Sequence, residues 1–96
     1  MKMSNSINLV FNKTLTKLAG FPYGESVYKE QIKDKVDLFQ PCKIVFPSNI
    51  EKVASSFVQG FFAEIVKKIG FQGIEDNIEI ETVNNELTKD IWNKLL

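Results

Sequence analysis

The chain has 96 residues, with twelve lysines, twelve acidic residues, one cysteine and no histidine or arginine. Without histidine there is no Ser-His-Asp or Cys-His nucleophile pair, and a zinc site would have only Cys42 and carboxylates as ligands. Zero net charge without arginine argues against a nucleic-acid partner, and no apolar stretch is long enough to cross a membrane.

A lone cysteine is typical of a protein from a reducing compartment, so we expect a cytoplasmic protein. The length predicts a single domain over residues 1–96, with residues 1–6 as a flexible N-terminus. No residue pattern predicts a catalytic group, a metal site or a cofactor.

The first half of the chain predicts two strands and a helix. Residues 7–11 and 14–18 alternate apolar and polar side chains, and the two residues between them predict a β-hairpin. Glycines and a proline in residues 20–24 predict a break. Apolar side chains at helical spacing then predict an amphipathic helix that Pro41 ends; they are Tyr28, Ile32, Val36 and Phe39.

The second half begins with residues 42–46, a compact apolar run typical of a buried central strand. A long helix follows, with Ser55 or Ser56 as its N-cap and Gly70 as the residue just past its end. Its broad apolar face comprises Ala54, Phe57, Val58, Phe61, Phe62, Ile65, Val66 and Ile69. Residues 71–77 are expected to be a connection.

The last elements are a strand and a helix. Residues 78–83 alternate cleanly, and Asn84 or Asn85 can cap a helix that carries Leu87, Ile91 and Leu95 in line. Strand–helix–strand crossings predict an α/β fold with a mostly parallel sheet of about four strands and helices largely on one face. The predicted core contains Leu9, Ile44, Phe46, Phe57, Val58, Phe61, Ile65 and Ile80.

The segment 45–60 resembles the STAS domain, named for sulphate transporters and anti-sigma factor antagonists. A buried strand, a loop, and Ser55-Ser56-Phe57 at the start of an amphipathic helix carry the resemblance. Phe61-Phe62 and the turn at Tyr23-Gly24-Glu25 are closer to the bacterial STAS-like family of unknown function. The resemblance covers roughly residues 20–95. The sequence differs from the pattern of the antagonists at Ala54, where they have Asp, and at Phe57, where they have Gly.

The resemblance implies a small STAS-like domain that acts as a non-enzymatic regulatory protein–protein interaction module. In antagonists a partner kinase phosphorylates a hydroxyl at this helix start, so the implied phosphorylation candidates are Ser55 first and Ser56 second. The implied partner is a kinase or an ATP-binding protein of the anti-sigma type, docking on the loop 47–54 and the helix start 55–60. The expected partner-binding residues are Ile50, Val53, Ser55, Ser56, Phe57 and Gly60.

Two other functions stay open at this point. One is an accessory binding protein of a phage or mobile element that acts without phosphorylation. The other is a small-molecule or nucleotide binder that holds an anion at the helix start near Ser55. The sequence leaves the oligomeric state open.

Several residues have a plain structural interpretation beside a functional one. Ser55 and Ser56 can simply cap the helix, and Lys67 and Lys68 can compensate its dipole, with phosphate contact as the alternative. Glycine inside a helix costs about 1 kcal/mol relative to alanine, so Gly60 predicts the close approach of another element. Separately, Cys42 is expected to be a buried apolar residue, and Glu79 and Glu81 to lie on a solvated strand face.

Overall fold

A computed structural model describes residues 5–96. The first half of this range contains strands β1 (Ser6–Asn8) and β2 (Lys17–Leu18), helix α1 (Phe21–Val27), a π-helical turn (Tyr28–Ile32) and strand β3 (Cys42–Val45). The second half contains strands β4 (Lys52–Val53) and β5 (Ile78–Glu81), and helices α2 (Ser55–Asn77) and α3 (Asn85–Leu95). The protein is therefore an α/β domain.

Within residues 5–96 every strand pair is parallel, in a three-stranded sheet of order β1-β3-β5 and a separate pair β2-β4. Ile7 lies beside Ile44, and Ile44 beside Ile80, so apolar residues are in register across the first sheet. The predicted four-stranded sheet is thus a three-stranded sheet and a two-stranded pair. The predicted hairpin between residues 7–11 and 14–18 is wrong, because β1 pairs with β3 and β2 pairs with β4.

One face of the three-stranded sheet is buried and the other faces solvent. Cys42, Ile44, Ile78 and Ile80 point into the core, and the residues between them in β3 and β5 are partly or fully exposed. All eight predicted core residues are buried, among them Ile44, Phe57, Phe61 and Ile65 at 0% exposure. On the solvent-facing side, Lys43 Nζ forms ion pairs with Glu81 Oε1 at 2.6 Å and with Glu79 Oε2 at 3.9 Å. Those two acids therefore form the solvated strand face that the alternation predicts.

The first helix is shifted towards the N-terminus relative to its prediction. The segment 20–24 is not a break, because α1 begins at Phe21 with Pro22 in its first turn, where a missing N–H costs nothing. The helical path of α1 and the π-helical turn after it ends at Ile32 instead of running to Phe39, and Asp34 takes a positive φ of 63°.

Tertiary hydrogen bonds explain why the helical pattern does not continue. The Gln31 amide holds the Val10 backbone with bonds of 2.7 and 2.9 Å. The Asn5 amide holds the Asp37 backbone with bonds of 2.6 and 3.2 Å. The chain after Ile32 is thereby fixed at the sheet edge, where Phe39 stays 68% exposed. Of the segment 1–6, residues 1–4 lie outside the described range, and Ser6 begins β1.

The two later helices largely follow their predictions. Gly70 interrupts α2 with φ 71°, but the chain resumes a helical path to Asn77, so residues 71–77 are helical and not a connection. Asn84 caps α3 by accepting the Leu87 N–H at 2.8 Å, as predicted. Within residues 5–96, no helix combines the length and apolar character needed to cross a bilayer.

Candidate functional site

The candidate site is the start of α2, where the two predicted serines lie. Ala54, not a serine, is the N-cap, and no side chain caps the helix there. The Ala54 N–H donates to Leu18 O of β2 at 2.7 Å, which fixes Ala54 in an extended conformation. Ser55 and Ser56 are consequently already inside the helix. The N-cap interpretation of these two serines is wrong.

The two serines have different surroundings although both are exposed. The Ser56 hydroxyl oxygen accepts the Gly20 N–H at 2.9 Å and so ties the start of α1 to the start of α2. The Ser55 hydroxyl makes no hydrogen bond to any residue in the range 5–96. Ser55 is therefore the hydroxyl of the pair that a modifying enzyme can reach without breaking a bond in the fold.

The other four expected partner-binding residues are buried. Ile50 and Phe57 are 0% exposed and Val53 is 1% exposed, and Gly60 is buried too. They form part of the core beneath the surface at the start of α2. Of the six expected partner-binding residues, only the two serines are therefore exposed on the folded protein.

Gly60 lies where α1 and α2 cross backbone to backbone. A Cβ atom at Gly60 would collide with the Phe21 carbonyl oxygen and lie 2.9 Å from its carbon. Gly24 on α1 faces the same crossing, since a Cβ there would lie 2.6 Å from the Phe61 nitrogen. The close approach predicted at Gly60 is confirmed, and it holds α1 directly against the start of α2.

Aromatic side chains that the sequence did not indicate as functional lie beside this crossing. Phe21 and Tyr23 are 42% and 40% exposed, although Tyr23 packs edge-on against Phe57 at 5.6 Å and Phe11 at 6.4 Å. Phe11 and Tyr23 contact each other, and Phe21 is exposed on the same helix as Tyr23. We call these three residues the aromatic patch. The sequence signal for it is Phe21-Pro22-Tyr23, but the glycines on either side of this segment predict a break in place of a helix.

A groove of about 540 Å³ borders the other side of the α2 start. Its walls are the β2-β4 pair and α3, and its lining is Lys17, Leu18, Ala19, Glu51, Lys52, Val53, Ala54, Asn84, Glu86, Leu87, Asp90 and Lys94. Lys17 and Lys52 lie side by side in register on the two strands. Lys94 donates to Asp90 at 2.7 Å and to the Val53 carbonyl at 2.8 Å, which joins α3 to β4. The groove thus carries both signs of charge over an apolar floor.

Two titratable groups with shifted pKa values, Cys42 and Lys43, lie on the three-stranded sheet and not at the start of α2. Burial, and secondarily Asp37, raise the pKa of the Cys42 thiol, so Cys42 behaves as the buried apolar residue that was predicted. The hydrogen bond that the Lys43 ammonium donates to Glu81, together with the negative charge of Glu81, raises the pKa of Lys43 on the solvent-exposed face of the sheet. Across residues 5–96 there is no group of three or more His, Cys, Asp or Glu side chains able to hold a metal ion.

Comparisons with known proteins add no assignment. No protein-family model matches the chain, and neither the curated proteins nor the solved structures include a significant match.

Proposed function

We propose that the protein is a non-enzymatic regulatory module of the STAS-like type, which docks a protein partner at the start of α2 and is switched by phosphorylation of Ser55. The partner is a kinase or an ATP-binding protein of the anti-sigma type, and the setting is the cytoplasm. The observation that carries the proposal is the exposed, unbonded Ser55 hydroxyl at the start of a long helix. The next residue, Ser56, accepts the N–H of Gly20, which immediately precedes α1 and its exposed Phe21.

The aromatic patch supports docking. Tyrosine and phenylalanine are enriched in protein interfaces, where they bury a large area at a low cost in side-chain entropy. The Tyr23 ring is held in place, because it packs edge-on against Phe11 and Phe57 while the Gly24–Gly60 crossing fixes α1 against α2. A half-exposed ring that is already held loses little freedom on binding.

A phosphoryl group on Ser55 would change this surface without disturbing the fold. It adds roughly two negative charges at neutral pH. The N-terminus of α2 tolerates them because the helix dipole is positive there. An apolar partner surface would have to bury those charges, which weakens docking.

We therefore expect Ser55→Asp to lower partner affinity about tenfold or more, because it introduces a charge into the docking surface. Ser55→Ala should bind like the unmodified protein. The partner is first captured by crosslinking in the native host and then purified, so that affinities are measured by titration calorimetry. Thermal melting of each variant checks that the fold is intact.

Asn93→Asp is the matched control, since it adds the same charge on the exposed side of α3, outside the groove lining. It should leave the affinity unchanged. Equal binding by the Ser55→Asp variant and the unmodified protein would contradict the switch. Equal losses in the Ser55→Asp and Asn93→Asp variants would show that net charge, and not this site, governs binding.

A further inference from the structure

A second candidate site lies between the π-helical turn after α1 and the middle of α2. It is a pocket of about 100 Å³ lined by Tyr28, Lys29, Lys33, Glu64 and Lys68. A shallower pocket of about 150 Å³ adjoins it and shares Tyr28 and Lys68. The other residues lining that second pocket are Ile32, Asp34, Val36, Asp37, Leu38 and Phe39.

Tyr28 supplies the first argument for a ligand. The residue is only 1% exposed, and its ring packs edge-on against Phe61 at 6.5 Å. No group in residues 5–96 hydrogen-bonds its hydroxyl. Because the described range contains no fully buried side-chain oxygen without a partner, the hydroxyl must keep a small accessible area. Solvent therefore reaches the hydroxyl, and in the two pockets that Tyr28 lines a ligand can take the place of that solvent.

The charges around the smaller pocket supply the second argument. Lys29, Lys33 and Lys68 form no ion pair with any residue in the range 5–96. The lining also holds one carboxylate, Glu64, whose Oε1 lies 3.8 Å from the Nζ of Lys67, a residue that does not line the pocket. With three lysines against one carboxylate, the lining carries an excess of positive charge that an anion would offset.

The shallower pocket differs in character from the smaller one. Its lining combines apolar side chains with the charged residues Asp34, Asp37 and Lys68, and the Asp37 carboxylate accepts the Phe39 N–H at 3.0 Å. Phe39 is 68% exposed at its rim. An anionic group in the smaller pocket could therefore extend an apolar or aromatic portion into the shallower one.

We propose that this pair of pockets binds a small phosphate monoester, with its phosphoryl group among Lys29, Lys33 and Lys68 and its organic portion beside Phe39. The lysine ammonium groups and the Tyr28 hydroxyl are all donors, and the phosphoryl group of such an ester offers three terminal oxygens as acceptors. This site is independent of the docking surface at the start of α2. Either proposal can fail without the other.

The test is a titration of the full chain with inorganic phosphate and with phenyl phosphate, followed by NMR amide shifts at constant ionic strength. Both probes should bind saturably, and phenyl phosphate more tightly. Lys68→Gln should weaken both about tenfold, because it removes a charge-assisted hydrogen bond. Tyr28→Phe should weaken both about threefold to tenfold without lowering the melting temperature, because the hydroxyl has no partner in the fold.

Lys89→Gln on α3 is the control, since Lys89 is exposed and lines neither pocket. It should leave both affinities unchanged. The proposal is overturned if neither probe saturates, or if Lys89→Gln weakens binding as much as Lys68→Gln. Equal affinity for the two probes would overturn the assignment of an ester. A marked loss of stability in the Tyr28→Phe variant would mean that the hydroxyl serves the fold.

Discussion

Gly60→Ala is expected to destabilise the protein by about 3 kcal/mol or more, at the upper end of the range for overpacking. The added methyl group meets the backbone of Phe21, and backbone cannot rotate away as a side chain can. Chemical denaturation followed by circular dichroism measures the loss of unfolding free energy. The affinity of the docking partner should fall as well, because α1 and its aromatic patch would be displaced from α2.

The sign of this effect makes it a sharp test. Without the helix crossing, alanine in place of glycine inside a helix would stabilise the protein by about 1 kcal/mol. Gln59→Ala, at the exposed neighbouring position of α2, is the control and should change stability by no more than about 0.5 kcal/mol. A Gly60→Ala variant as stable as the parent would show that α1 and α2 do not cross at this residue.

Phe61→Ala is expected to cost about 3–5 kcal/mol, the range for a large side chain removed from a core. Phe61 is 0% exposed and stacks on Phe57 at 5.8 Å, with the rings of Tyr28, Phe46 and Phe62 also around it. It connects both halves of the fold through one aromatic cluster. A domain of this length has a stability of about 5–14 kcal/mol, so the variant should unfold at a far lower denaturant concentration.

Phe71→Ala removes the same side chain from a position that is 49% exposed. It should cost less than about 1 kcal/mol, because little contact area is lost. Similar losses for the Phe61→Ala and Phe71→Ala variants would contradict the assignment of Phe61 to the centre of the core.

Periodic spacing of apolar residues predicts several of the helices and strands. The α2 face repeats over four turns, and the alternation in β5 and the Asn84 cap are local signals, so these elements follow directly from sequence. The strand pairing and the end of the first helix were not predictable in this way. Both depend on contacts between residues far apart in the chain, such as Gln31 with Val10 and Asn5 with Asp37.

In the candidate site, too, local sequence signals predict some features, and contacts between distant residues determine the others. A local motif points to the two serines, but the difference in their hydrogen bonding depends on Gly20, which is 36 residues away from Ser56. The burial of Ile50 and Val53 likewise follows from packing that no local pattern reports. Tyr28 was predicted as part of an apolar helix face, and only its surroundings show a hydroxyl without a partner.

The central claim is that Ser55 is the switch of a docking surface, and mass spectrometry of the protein from its native host tests it most directly. Trypsin cleaves after Lys52 and Lys67, and the peptide between them contains both serines. We predict a phosphoryl group on Ser55, and not on Ser56, in a fraction that changes with growth conditions and falls in the partner-bound protein. A peptide that stays unmodified under every condition, in free and partner-bound protein alike, would contradict the claim.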